Sequence, residues 1–174
     1  LYSIVITLLI CIGTSYAQSD TLKKAESADA NLPGYIKNPS LPEFNILLRD
    51  NATIFNTKDI PGGKPIALML FSPTCSHCLT TISRFLAGID SIQDLQFYLI
   101  SPTPSITDLQ AFCTQYQVDN YKNIKVVGRD ADFFFINNYG TRSFPHIALY
   151  DKHKKFLKAI EGETTLTELY HAYH

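Results

Sequence analysis

The sequence predicts an α/β domain, with one mixed β-sheet carrying helices on both faces. Three observations predict it. Short apolar runs alternate along the chain with stretches of helical periodicity. One run, IALMLF at 66–71, is apolar at every position, as a strand buried on both faces would be. The chain then closes on two runs spaced as an antiparallel hairpin, followed by a helix with its own capping signal.

The elements follow in order. Residues 44–48 and 52–55 flank Arg49-Asp50-Asn51, a hairpin turn, and IPGGKP at 60–65 is a second turn. The two glycines of that turn lack the spacing and the following Lys-Ser/Thr of a phosphate loop. After the central run, Leu79, Ile82, Phe85, Leu86 and Ile89 recur at helical spacing, and residues 95–101 form the next strand. Ser105 and Asp108 make a capping-box-like start for a helix bearing Ile106, Leu109, Phe112 and Tyr116. A short strand at 124–128 precedes a short helix at 130–139, which ends at Gly140. The strands 146–151 and 155–162 pair across Lys152-His153-Lys154. Thr165 with Glu168 caps a last helix whose apolar face is Leu166, Leu169, Tyr170 and Tyr173.

Composition narrows the function. A net charge of -1 over 174 residues provides no electrostatic footprint for nucleic acid or an anionic membrane surface. No repeat, charge block or low-complexity tract suggests an array or an interaction tail.

The first residues differ from the rest. IVITLLICIG at 4–13 is apolar and uncharged, but shorter than the about 20 residues that span a bilayer as a helix. Ser15 and Ala17 then fit a small-x-small cleavage site before Gln18. Residues 1–17 are therefore expected to be a signal peptide, Cys11 leaving with it, and the mature chain is expected to have no stable membrane insertion. An N-terminal strand or a retained anchor is the alternative. Residues 18–40 are polar, with Pro33, Gly34 and Pro39, and read as a linker or flexible arm; the folded domain is expected over 41–174.

The chemistry gathers in SPTCSHCLTT at 72–81. Cys75 and Cys78 stand three apart and could be a structural disulfide, part of a zinc site or a reactive dithiol. A disulfide across so short a loop restrains little of the unfolded chain. Zinc needs further ligands, and only Cys113 and scattered histidines remain. The predicted elements place Cys75 just past the end of a central strand and at the start of the following helix. Reactive groups of open α/β sheets collect at that edge, and the unpaired amides of a helix N-terminus stabilise an anion such as a thiolate. Cys78, one turn on and on the same face, can close a short ring with Cys75, which suits a reversible disulfide.

At this point the chain resembles the thioredoxin superfamily, specifically its exported thiol-disulfide oxidoreductases of the TlpA/ResA type. Three features carry the resemblance over about residues 41–174. They are Cys75-Ser76-His77-Cys78 after an apolar strand, Tyr139-Gly140 followed by Pro145, and the Pro42-Glu43-Phe44 opening of an added N-terminal β-hairpin. The resemblance implies a thioredoxin-like fold, no cofactor, no metal, and a bacterial periplasmic setting. Its implied partners are protein disulfides or dithiols and a membrane-linked redox partner. Cys75 would be the nucleophile and Cys78 the resolving cysteine. Pro145 would be a cis-proline, with the Phe144 backbone beside it pairing with substrate.

The chain departs from the family at three places. Met69 occupies the position, six residues before the first cysteine, where thioredoxins carry a buried Asp, and Thr74 replaces the usual aromatic. Ser76-His77 replaces Gly-Pro. A histidine before the second cysteine is similar to strongly oxidising periplasmic enzymes, so Ser76 and His77 are expected to tune the pair, an imidazolium stabilising the Cys75 thiolate. The alternative is a redox-inactive module on this fold that binds a partner or copper. Outside the motif, Cys113 reads as a buried inert thiol and His146 as a strand histidine with a local hydrogen bond. Phe133, Phe134 and Phe135 read as core plus one exposed ring.

Overall fold

The computed structural model describes residues 32–174. The expected signal segment, and the arm as far as residue 31, lie outside the described residues. The strands are β1 (Asn45–Leu48), β2 (Ile54–Asn56), β3 (Ile66–Leu70), β4 (Gln96–Ser101), β5 (Ile124–Arg129), β6 (His146–Tyr150) and β7 (Phe156–Glu161). The helices are α1 (Gly34–Lys37), α2 (Ser76–Gly88), α3 (Ile106–Gln115), α4 (Phe134–Tyr139) and α5 (Leu166–Tyr173).

Alternation of side chains across β3 explains why it is apolar throughout. Ala67 and Met69, with Phe97 and Leu99 of β4 and Ile147 and Leu149 of β6, face a layer built by α2, α3 and α5. Ile66, Leu68 and Leu70 face the other side, where Phe135 and Tyr139 of α4 pack with Tyr98, Ala148 and Tyr150. Both layers are apolar, and every β3 side chain is buried. The strands run in the order β2-β1-β5-β4-β3-β6-β7, with β3, β4 and β5 parallel and the remaining pairs antiparallel. This is the mixed sheet covered on both faces that the periodicity predicts.

Two details of the sequence reading shift. The helix expected over 130–139 starts only at Phe134. Phe133 sits in the left-handed region at φ 55°, and the Asp130 carboxylate accepts the Phe134 and Phe135 amides at 3.0 and 2.8 Å. Asp130 therefore caps the helix instead of opening it. The second shift concerns residues 33–40, expected as part of a linker. They belong to the same compact unit as the sheet, which begins at Pro33. The Tyr35 ring lies 5.5 Å from that of Tyr139 and 4.7 Å from that of Phe156, and the Phe156 amide donates to the Pro39 carbonyl at 2.7 Å. A polar, aperiodic segment with one aromatic anchor gives no periodic signal, so its docking is invisible to pattern reading.

Gly128 records how closely β1 approaches β5. A Cβ there would meet the Leu47 carbonyl oxygen at 2.8 Å and the Ile46 side chain. Gly140, at φ 62°, ends α4 in the left-handed conformation expected of it.

Candidate functional site

The site starts where β3 stops. The Phe71 amide still bonds to the Ile100 carbonyl at 2.9 Å, and the chain then turns through Ser72, whose carbonyl accepts the Cys75 amide at 3.1 Å. Cys75 is the N-cap of α2, extended at φ −89° and ψ 116°, and its side chain makes no capping bond. The other long helices differ: Ser105 caps α3 and Thr165 caps α5 through side-chain oxygens. The first amides of α2 are thus left without a side-chain acceptor from the N-cap, beside a sulfur.

Cys75 is half-buried; Cys78 is 0% exposed. Both are free thiols in this structure. Burial pushes the Cys78 thiol up to about 12, opposed by the Ser72 backbone and reinforced by the hydrogen bond and charge of Cys75. Met69 lies in the same apolar cluster as Cys78. Among the described residues the one buried carboxylate is Asp130, on the opposite face and already committed to α4. Cys78 therefore sits in a layer with no buried acid.

The ladder between β3 and β6 brings the remaining predicted residues to this edge. Leu70 pairs with His146 in antiparallel register. The next residues outward are Phe71 on one strand and Pro145 on the other, so Pro145 adjoins the start of the Ser72–Cys75 turn. The Phe144–Pro145 peptide bond is cis. Pro145 is buried, while Phe144 is half-buried and packs on the cluster that Cys75 also borders. The Pro145 carbonyl accepts the Gly162 amide at 2.8 Å.

Ser76 opens α2 on its exposed side. His77 is 70% exposed, and its Nδ1 lies 2.7 Å from Glu163 Oε1. The other oxygen of Glu163 accepts from Arg84 Nη1 at 2.9 Å. The His77 hydrogen bond, and behind it the Arg84 charge, hold the Glu163 carboxyl below its ordinary range. Glu163 is a residue that sequence reasoning missed. It stands between the last strand and the last helix, 86 residues from His77, and no local pattern signals the contact.

His146 does not reach the dithiol. It points to the α4 face, where its ring meets that of Phe135 edge-on at 5.4 Å. Its Nδ1 lies 2.9 Å from Thr141 Oγ1 and 3.5 Å from Glu161 Oε1. Burial, opposed by the Glu161 charge, pushes this imidazole down. Cys113 is 4% exposed within α3, and burial raises its thiol against the pull of Arg49. Phe135 is core, Phe134 stacks on Phe44 at 4.7 Å and Phe133 is 49% exposed, as the sequence reading has them. Among the described residues no three His, Cys, Asp or Glu side chains converge as a metal site, and no helix is long and apolar enough to cross a membrane.

No protein-family model matches the chain, and no curated protein is significantly similar to it in sequence. Solved structures are similar in fold. The exposed lipoprotein thioredoxin of Streptococcus pneumoniae is 22% identical, with a TM-score of 0.57 over 75% of this chain and 96% of that one. A secreted Mycobacterium tuberculosis disulfide oxidoreductase homologous to Escherichia coli DsbE is 17% identical, with a TM-score of 0.61 over 74% and 92%. The thioredoxin domain of a Bacteroides vulgatus thiol-disulfide oxidoreductase is 18% identical, with a TM-score of 0.54 over 80% and 94%. Together with the mixed sheet and its helix layers, these likenesses show that the chain carries the thioredoxin-like fold.

Proposed function

We propose that this protein is an exported thiol-disulfide oxidoreductase acting on protein disulfides or dithiols through Cys75 and Cys78. The observation that carries the reading is the placement of Cys75. It caps a helix with no capping oxygen, at the C-terminal edge of a buried strand, with Cys78 one turn on and a cis Phe144–Pro145 bond at the same edge.

The exchange needs no cofactor. The Cys75 thiolate attacks one sulfur of a substrate disulfide; that S–S bond breaks and the other substrate sulfur leaves as a thiolate. Cys78 gives its proton to the departing thiolate or to solvent and attacks the Cys75 sulfur of the mixed disulfide. The second substrate thiol is released and the Cys75–Cys78 disulfide forms. Two electrons have passed to the substrate, and a dithiol donor, membrane-linked in this reading, restores the pair. The same steps in reverse oxidise a substrate dithiol. The backbone of Phe144, beside Pro145, pairs with the substrate chain as the attack occurs.

Export is supported by the apolar run and small-x-small site in residues 1–17 and by fold neighbours described as an exposed lipoprotein and a secreted enzyme. A periplasmic location is part of this proposal.

Insulin reduction by the wild-type protein and by Cys75→Ser tests the activity. Turnover by the wild type alone supports it. Equal background rates, repeated with other protein disulfides, would instead support a partner-binding or copper-binding module. The equilibrium of the pair with glutathione sets the direction: a potential near about -120 mV marks an oxidase and near about -270 mV a reductase.

A further inference from the structure

We infer that Glu163 is a positioning residue of this dithiol, holding the His77 ring at the rim and supplying the negative charge that restrains the pair from being more oxidising. The inference rests on the redox reading of Cys75 and Cys78 proposed above.

The carboxylate is built into place from both sides. Its two oxygens are divided between His77 Nδ1 at 2.7 Å and Arg84 Nη1 at 2.9 Å, so it bridges two residues of the helix that begins at the dithiol. Its own backbone is anchored. Gly162, in the left-handed region at φ 84°, donates to the Pro145 carbonyl at 2.8 Å. Two residues beyond Glu163, Thr165 begins α5 with a complete capping box. One connected path therefore runs from Pro145 through Gly162 and Glu163 to His77, beside Cys78.

A charge argument gives the direction. Replacing Glu163 by Gln removes one negative charge. On a His77→Asn background no imidazole charge can change in response, so the rim becomes more positive by the whole of that charge. A more positive rim stabilises the Cys75 thiolate, and hence the reduced dithiol, which makes the couple a stronger oxidant. The Glu163 side chain is 35% exposed, so solvent screens the effect and an exposed ion pair sets its scale.

The test is the equilibrium constant of the full protein with glutathione, for the wild type, Glu163→Gln, Glu163→Asp, and Glu163→Gln on a His77→Asn background. Glu163→Gln is expected to shift the equilibrium toward the reduced dithiol by about two- to fivefold. Glu163→Asp, which keeps the carboxylate, is expected to lie between the wild type and Glu163→Gln, and on the His77→Asn background, where no imidazole can offset the lost charge, the shift is expected to be at least as large. An unchanged constant, a shift toward the disulfide, or a smaller shift on the His77→Asn background would overturn the inference. If Glu163→Gln does not fold by circular dichroism, Glu163→Asp decides through its own shift: the same direction supports the inference, and no shift or the opposite one sinks it. A wild-type pair that forms no reversible disulfide with glutathione refutes the redox reading itself, which is a separate outcome.

Discussion

Cys78 and Cys113 occupy the same apolar layer of the molecule, and burial raises both thiols. By accessibility they barely differ, at 0% and 4%. Their surroundings differ in every other respect. Cys78 lies in the first turn of α2 with a second thiol at the helix cap and a cis-proline across the strand edge. Cys113 lies in the last turns of α3, beside Arg49, with no second cysteine. Burial alone therefore says nothing about reactivity. Position along the helix, and the presence of a second sulfur at the sheet edge, distinguish Cys78 from Cys113.

The comparison is most directly broken at Cys75, the proposed nucleophile. Cys75→Ser is expected to cut insulin reduction by more than about a hundredfold, while Cys113→Ala leaves it unchanged; loss of turnover in the second variant would erase the distinction. Cys78→Ser should retain attack but lose resolution, so a mixed disulfide with substrate accumulates on a non-reducing gel. A Cys78→Ser protein that turns over like the wild type contradicts the roles assigned.

Phe71 links the two regions, since it precedes the dithiol turn and its ring lies 4.6 Å from that of Phe112, the neighbour of Cys113. Phe71→Ala should cost about 3–5 kcal/mol of unfolding free energy in a denaturant titration. It should also speed alkylation of Cys113, and a cost below about 1 kcal/mol would show that the layer is less tightly joined than described.

The smallest expected effects are in pH. Neutral Cys113 is favoured in the folded chain, so above the ordinary thiol range the native state holds a proton that the unfolded state has lost. Stability then falls as pH rises, and Cys113→Ala should flatten that fall. His146 has the opposite consequence. Its folded value is depressed, so between that value and the ordinary imidazole value the unfolded state binds the extra proton, and stability falls as pH falls. Melting temperatures of His146→Gln and the wild type from pH 7 to pH 5 should converge as the wild type loses this advantage; parallel curves would remove His146 from the account.

Much of this architecture is legible in one dimension. Side-chain alternation and the helical repeat act over a few residues, so they write β3 as an unbroken apolar run and place Cys75 at a strand–helix junction. The capping pair Thr165 and Glu168 marks α5, and Gly140 marks the end of α4, because each cap is a contact between residues adjacent in the chain. Phe133 and Asp130 show the limit of that reading. A left-handed residue and a side-chain cap moved the start of α4 without disturbing any hydrophobic period.

From the sequence alone came the order of strands and helices, the dithiol at the head of α2, and Met69 where an acid was expected. These depend on local periodicity and on the identity of single residues. Only the tertiary structure decided that Tyr35 docks on Tyr139 and Phe156, that the β3–β6 register carries Pro145 to the edge where the dithiol turn begins, and that Glu163 takes both His77 and Arg84. Each of these joins residues far apart in the chain. Sheet order and strand register set which of them meet, and no local period encodes either.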